Sequence, residues 1–115
     1  VTIHYKLSDR SRGLIGASEL ALMKESAILI NTSRSGLIDT AALTDALDSG
    51  AIRGAGLDVY DTEPLPADHP LRMSPRTVLT PHLGYVTEGT YRIFYPQAVE
   101  DIAAWIAGEP IRVLT

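Results

Sequence analysis

The chain has no cysteine among its 115 residues, which excludes a disulfide framework, a thiolate nucleophile and a cysteine-ligated zinc site. Its histidines, His4, His69 and His82, show neither H-x-x-x-H nor H-E-x-x-H spacing, so no metal site is expected. Positive charge is also scarce. Lys and Arg total 10 against 14 Asp and Glu, a net charge of −4, and the cations are scattered, without the basic face that nucleic acid requires. The longest purely aliphatic run, Ala27-Ile28-Leu29-Ile30, is far shorter than the roughly 20 apolar residues that span a bilayer, so no membrane partner is expected. Without cysteine or a signal-peptide pattern, a cytoplasmic setting is expected. No G-x-G-x-x-G occurs, so the chain encodes no glycine-rich turn to cradle a phosphate. The length suits one compact core, and the strand-like run that opens at Val1 rather than Met suggests a start inside a larger domain.

What is present alternates between two periods. Val1-Thr2-Ile3-His4-Tyr5 reads as a strand, and Ser18 to Lys24 as a short helix with Ser18 as N-cap. Ala27 to Asn31 is apolar until its last residue, the pattern of a parallel strand covered on both faces. Thr40 can cap a helix through Leu43, Ala46 and Leu47 that Gly50 stops in the left-handed region. A third strand follows at Ala55 to Val59, entered through Gly54, with Gly56 leaving room for close approach. Asp61 to Arg76 holds Pro64, Pro66, Pro70 and Pro75 and reads as a long functional loop, and Thr77 to Thr80 is a fourth strand stopped by Pro81. Thr87 to Ala107 keeps a helical period in Tyr91, Phe94, Tyr95, Ile102 and Trp105, a stripe expected to face a core, with a kink or break expected near Arg92 to Tyr95 ahead of Pro96. The order predicts an α/β fold: a partial, Rossmann-type, doubly wound parallel sheet of about four strands with a long C-terminal helix.

Ligands of open parallel sheets bind beyond the carboxyl ends of the strands, which directs attention to the residues just after each run. Arg34 could grip a carboxylate with two parallel hydrogen bonds; alone it reads more readily as a solvated loop arginine. Asp58 could accept from an amide, or simply cap a turn. Glu63 and His82 form a candidate acid–base pair, because a carboxylate beside an imidazole orients the ring and stabilises its protonated form. His4, in a strand, and His69, in a polar loop, are read as structural.

In that order, Arg12-Gly13-Leu14-Ile15-Gly16, Asn31-Thr32-Ser33-Arg34, Gly56-Leu57-Asp58-Val59-Tyr60, Glu63-Pro64-Leu65-Pro66 and Thr80-Pro81-His82-Leu83-Gly84 resemble signatures of the D-2-hydroxyacid dehydrogenases, nearly end to end. The resemblance implies hydride transfer between NAD or NADP and a small 2-hydroxy or 2-oxo acid. It casts Arg34 as holder of the substrate carboxylate and carbonyl, His82 as proton donor or acceptor, and Glu63 as the carboxylate that orients it. Asp58 would bind the carboxamide, and Tyr5, Thr32, Ser33, Arg34, His82, Leu83, Gly84 and Tyr85 would line the nicotinamide half of the cofactor. Glu63 also separates the chain from formate dehydrogenases, which carry glutamine in that role.

By the same resemblance, residues 1–86 are the C-terminal half of a dinucleotide-binding domain, and 87–115 a long helix and tail returning toward a substrate domain, in an enzyme that forms a homodimer. The chain departs from the pattern at Ser35, where the family has glycine after the arginine, and in lacking the phosphate-binding turn. It is therefore expected to be nearly inactive alone. The rival reading is a non-catalytic remnant, a folded interaction module docking a partner through Tyr91, Phe94, Ile102 and Trp105.

Overall fold

The computed structural model describes residues Val1–Leu114. They divide into two units, Val1–Leu83 and Gly84 onward. The first holds a parallel sheet of four strands in the order β1-β2-β3-β4: β1 (Thr2–Ile3), β2 (Ile28–Asn31), β3 (Gly54–Leu57) and β4 (Thr77–Leu79). Helices α1 (Ala17–Ala21), α2 (Thr40–Asp48) and α3 (Pro70–Met73) lie in the connections.

The core gathers Leu20 of α1, Leu43 and Leu47 of α2, Leu71 of α3 and the strand residues Ile3, Leu29, Ala55 and Leu57, joined by Leu37 from a short 3-10 helix (Ser35–Leu37) and by Ile38 and Ile52 from the loops. Each of these leucines and isoleucines contributes about 1.5–3 kcal/mol by leaving water. β2 is covered more on one face than on the other: Leu29 and Asn31 are buried while Ile28 is 47% exposed. The continuous apolar run had suggested cover on both faces; it reports hydrophobicity, and the pleat decides which residues turn inward.

The glycines of β3 serve close packing between strands. A Cβ on Gly54 would stand 2.7 Å from the Arg76 carbonyl oxygen, and one on Gly56 would stand 2.8 Å from the Ile30 Cδ1 atom. Gly56 therefore abuts a neighbouring strand's side chain.

Several boundaries shift from those expected. α1 begins after Gly16, whose N–H donates to Glu19 Oε2 at 2.9 Å, so Ser18 lies inside the helix and Glu19 supplies the capping contact. Asp39, not Thr40, caps α2, with its Oδ1 accepting from the Ala42 N–H at 3.0 Å. Gly50 ends that helix at φ 74°, as expected. β3 stops at Leu57, and β4 at Leu79. The proline-rich loop contains α3, which starts at Pro70, the residue type suited to a first helical position, with the His69 ring capping Leu71 N–H.

The second unit is built on α4 (Glu88–Ile106), capped by Thr87 and passing through Pro96 as one continuous helix, so of the expected kink or break the break is absent. None of its side chains is buried, which corrects the reading of its aromatic stripe as a core face. Tyr91 and Tyr95 meet edge to face at 5.0 Å, and Arg112 closes the tail onto the helix through Asp101 and Glu100, each at 2.8 Å.

Candidate active site

Register brings the site together. Ile3 lies opposite Asn31, Asn31 opposite Leu57, and Leu57 opposite Leu79, so all strands end along one line. Because the strands are parallel, the segments beginning at Thr32, Asp58 and Thr80 leave from the same edge.

The β2 exit is shaped by Asn31. Its buried amide donates to the Arg34 carbonyl at 2.9 Å and accepts from the Ser33 N–H at 3.0 Å, an Asx-type turn. Ser33 Oγ donates to the Ile3 carbonyl at 2.9 Å, tying this turn to β1. Arg34 projects from it, exposed, with Nη1 donating to the Ser33 carbonyl at 2.6 Å. Its remaining guanidinium N–H groups keep the fork that suits a carboxylate.

At the β3 exit Asp58 is 3% exposed, and Oδ1 accepts from the Thr80 hydroxyl and from the Leu83 N–H at 2.8 Å. The Tyr60 hydroxyl bonds to the carbonyls of Leu57 at 2.8 Å and Thr80 at 2.9 Å, joining the ends of β3 and β4. Burial, the largest influence, pushes that phenol's pKa up.

Glu63 and His82 meet at 2.7 Å, Oε2 to Nδ1, while Glu63 Oε1 accepts from the Tyr60 N–H at 2.9 Å. The hydrogen bond to His82, then that from Tyr60, holds the Glu63 carboxyl below the usual carboxylate range. An ionised carboxylate only accepts, so Nδ1 of His82 carries the shared proton. His82 itself sits at φ 57°, in the left-handed region that a non-glycine residue occupies only where its surroundings impose it.

A cleft of about 300 Å³ lined by Arg34, Ser35, Tyr60, Asp61, Glu63 and His82 brings Arg34 together with the Glu63–His82 pair. Arg34 also borders a second cleft of about 450 Å³ lined by Tyr5, Lys6, Leu7 and Ser33. Both lie within the span of about 300–1,000 Å³ usual for small-molecule sites. Thr32 is exposed beside them at the β2 exit; Leu83 ends the first unit, and Gly84 and exposed Tyr85 open the second. His4, its Nε2 2.9 Å from Thr2 Oγ1, and His69, the α3 cap, have structural partners.

Sequence reasoning passed over Asn31, Tyr60 and Thr80 as supporting residues. Asn31 carried a usable signal, an Asx residue closing an apolar run, whereas the partners of Tyr60 and Thr80 lie up to 22 residues away and leave no local mark.

A four-stranded parallel sheet with its polar residues gathered at the carboxyl edge defines a Rossmann-type nucleotide-binding fold. The sequence profile of the D-isomer specific 2-hydroxyacid dehydrogenase NAD binding domain matches residues 1–84, and the chain belongs to that family. It is 44% identical over 109 residues to a glyoxylate reductase of Aeropyrum pernix, covering 95% of this chain and 32% of that protein. A phosphoglycerate oxidoreductase from Vibrio cholerae superposes with a TM-score of 0.83 at 34% identity, over 93% of this chain and 34% of the other. A D-isomer specific 2-hydroxyacid dehydrogenase from Xanthobacter autotrophicus, solved with NADPH and MES, gives 0.73 at 40% identity, over 96% and 45%. The chain spans about a third of the length of the curated relatives it matches.

Proposed function

We propose that this chain carries the acid–base residues and the nicotinamide side of the cofactor site of an NAD(P)-dependent D-2-hydroxyacid dehydrogenase. The observation that carries this reading is the Glu63–His82 pair facing the same cleft as Arg34.

Arg34 binds and orients the substrate carboxylate and the oxygen at carbon 2. His82 gives that oxygen a proton when a 2-oxo acid is reduced and takes one when a 2-hydroxy acid is oxidised. Glu63 holds the ring through Nδ1 and stabilises the imidazolium formed in the oxidative direction. The bound nicotinamide supplies or accepts the hydride.

The cleft beside Tyr5 and Ser33 fits the nicotinamide end in size and adjoins the Arg34 cleft, supporting cofactor roles for Tyr5, Ser33, Arg34 and His82; the family resemblance extends such roles to Thr32, Asp58, Leu83, Gly84 and Tyr85. The pyrophosphate end has no counterpart, since the sequence holds no G-x-G-x-x-G. In this reading residues 1–86 are the C-terminal half of a dinucleotide-binding domain, and 87–115 the helix and tail that lead toward a substrate domain. The whole enzyme is a cytoplasmic homodimer acting on a small 2-hydroxy or 2-oxo acid.

The test is single-turnover reduction of glyoxylate or hydroxypyruvate by the chain at saturating NADH, followed by loss of NADH absorbance. A slow reaction is expected, abolished in Arg34→Ala and in His82→Ala with NADH binding kept. Rates untouched by both substitutions contradict the assigned roles.

A further inference from the structure

The turn that carries His82 is held from its flanks. Pro81 has no N–H to donate, and His82 adopts a left-handed backbone at φ 57° without being glycine. Thr80, just before them, has every polar group engaged. Its N–H donates to the Leu57 carbonyl at 3.0 Å, and its carbonyl accepts from the His82 N–H at 3.1 Å and the Tyr60 hydroxyl at 2.9 Å. Its hydroxyl donates to Asp58 Oδ1, the same atom that accepts from the Leu83 N–H at 2.8 Å. One carboxylate oxygen therefore grips the residues on both sides of Pro81-His82. Asp58 is a firm base for this, because it is buried and its own N–H donates to the Asn31 carbonyl at 3.0 Å.

We propose that Thr80 is a positioning residue: by donating its hydroxyl to Asp58 it fixes the turn that aims the His82 imidazole at Glu63. Both members of the pair then take their placement from the end of β3, His82 through Thr80 and Asp58, and Glu63 through the Tyr60 N–H. This deepens the proposed function, since the placement matters because His82 moves the proton. It also gives Asp58 a duty separate from any contact with a cofactor, one that can be removed while its carboxylate stays.

The measurement is the ¹H–¹⁵N signal of the His82 Nδ1–H, hydrogen-bonded to Glu63, in the full chain near neutral pH with no cofactor added. Thr80→Val keeps the shape and deletes the hydroxyl; it is expected to abolish the protected Nδ1–H signal and shift the Leu83 amide while the thermal transition persists. Thr80→Ala, free of any steric demand, repeats the loss should the valine variant fold poorly. Thr80→Ser restores the hydroxyl and with it the signal. An intact Nδ1–H signal in folded Thr80→Val or Thr80→Ala overturns the proposal, as does its loss in folded Thr80→Ser, which would point to the methyl group instead. Failure of the proposed function looks different: the wild-type Nδ1–H signal is present, yet the chain neither responds to NADH nor reduces a 2-oxo acid.

Discussion

The two units of the chain keep their order by different means. Val1–Leu83 buries Leu29, Leu37, Leu47 and Ile52 completely and ties its strand ends together with hydrogen bonds between residues distant in sequence. In the unit beginning at Gly84, α4 buries no side chain, and what holds its tail is the exposed Arg112 with Asp101 and Glu100. The proposed chemistry lies with the first kind of order. A proton-transfer pair must keep its geometry, and bonds rooted in a packed sheet do that better than surface ion pairs, which are screened by salt and lose side-chain entropy on forming.

The largest effect that would sharpen this contrast is removal of core volume. Leu47→Ala, at a side chain with 0% exposure, should lower the unfolding free energy of the first unit by about 2–5 kcal/mol, read from urea unfolding. Trp105→Ala, at 73% exposure, should stay within about 0.5 kcal/mol. Comparable losses in the two variants would erase the distinction between the units.

Gly54→Ala comes next. Its Cβ would lie 2.7 Å from the backbone oxygen of Arg76, which cannot swing aside as a side chain can, so β3 and the start of β4 must separate. A loss of about 1–3 kcal/mol is expected in the same urea unfolding experiment. An unchanged midpoint would show that the close approach of these strands is not required.

Acid should act on the site before it acts on the core. The Glu63 carboxyl titrates below its ordinary value of 4.5, so its contribution to stability is fully present above that value and is lost as pH falls through the lower, folded one. Over that acid window the Tyr60 amide resonance should move as Glu63 Oε1 gains a proton, while core methyl resonances hold their positions. Simultaneous change in both would mean that the pair and the core fail together.

The smallest effect belongs to Arg112→Ala, which should leave the first unit's unfolding unchanged and loosen only the tail, seen as faster amide exchange around it. Salt should reproduce that loosening in the wild type. A large loss of overall stability would show that the tail clasp matters far more than a surface pair can.

How legible all this was in the sequence follows from the range of each interaction. The strands and α2 announced themselves through apolar runs and helical spacing, and Gly50 through its position after a periodic segment. Helix starts slipped because several residues competed to cap: Asp39 stood beside Thr40, and Glu19 reached back to Gly16 from inside the helix that Ser18 was expected to open. α3 hid among prolines, one of which begins it. Pro96 was read as kinking or breaking the helix, and the helix runs through it without a break; the aromatic stripe of α4 was read as a core face by a periodicity rule that says nothing about what covers the face. At the site, Arg34, Glu63 and His82 could be named from their places after apolar runs. The hydroxyl of Thr80 on Asp58, the hydroxyl of Tyr60 across two strands and the left-handed backbone of His82 depend on register, which only the assembled sheet supplies.

The central claim is that the carboxyl edge of this sheet receives a nicotinamide cofactor beside the Glu63–His82 pair. Its most direct test is an NADH titration of the chain followed by ¹H–¹⁵N spectra. Saturable shifts concentrated on Tyr5, Thr32, Ser33, Asp58 and Leu83, and retained in Arg34→Ala, are the predicted result. Shifts that fail to saturate, or that fall on α1 and α2 and leave the strand ends unmoved, would contradict it.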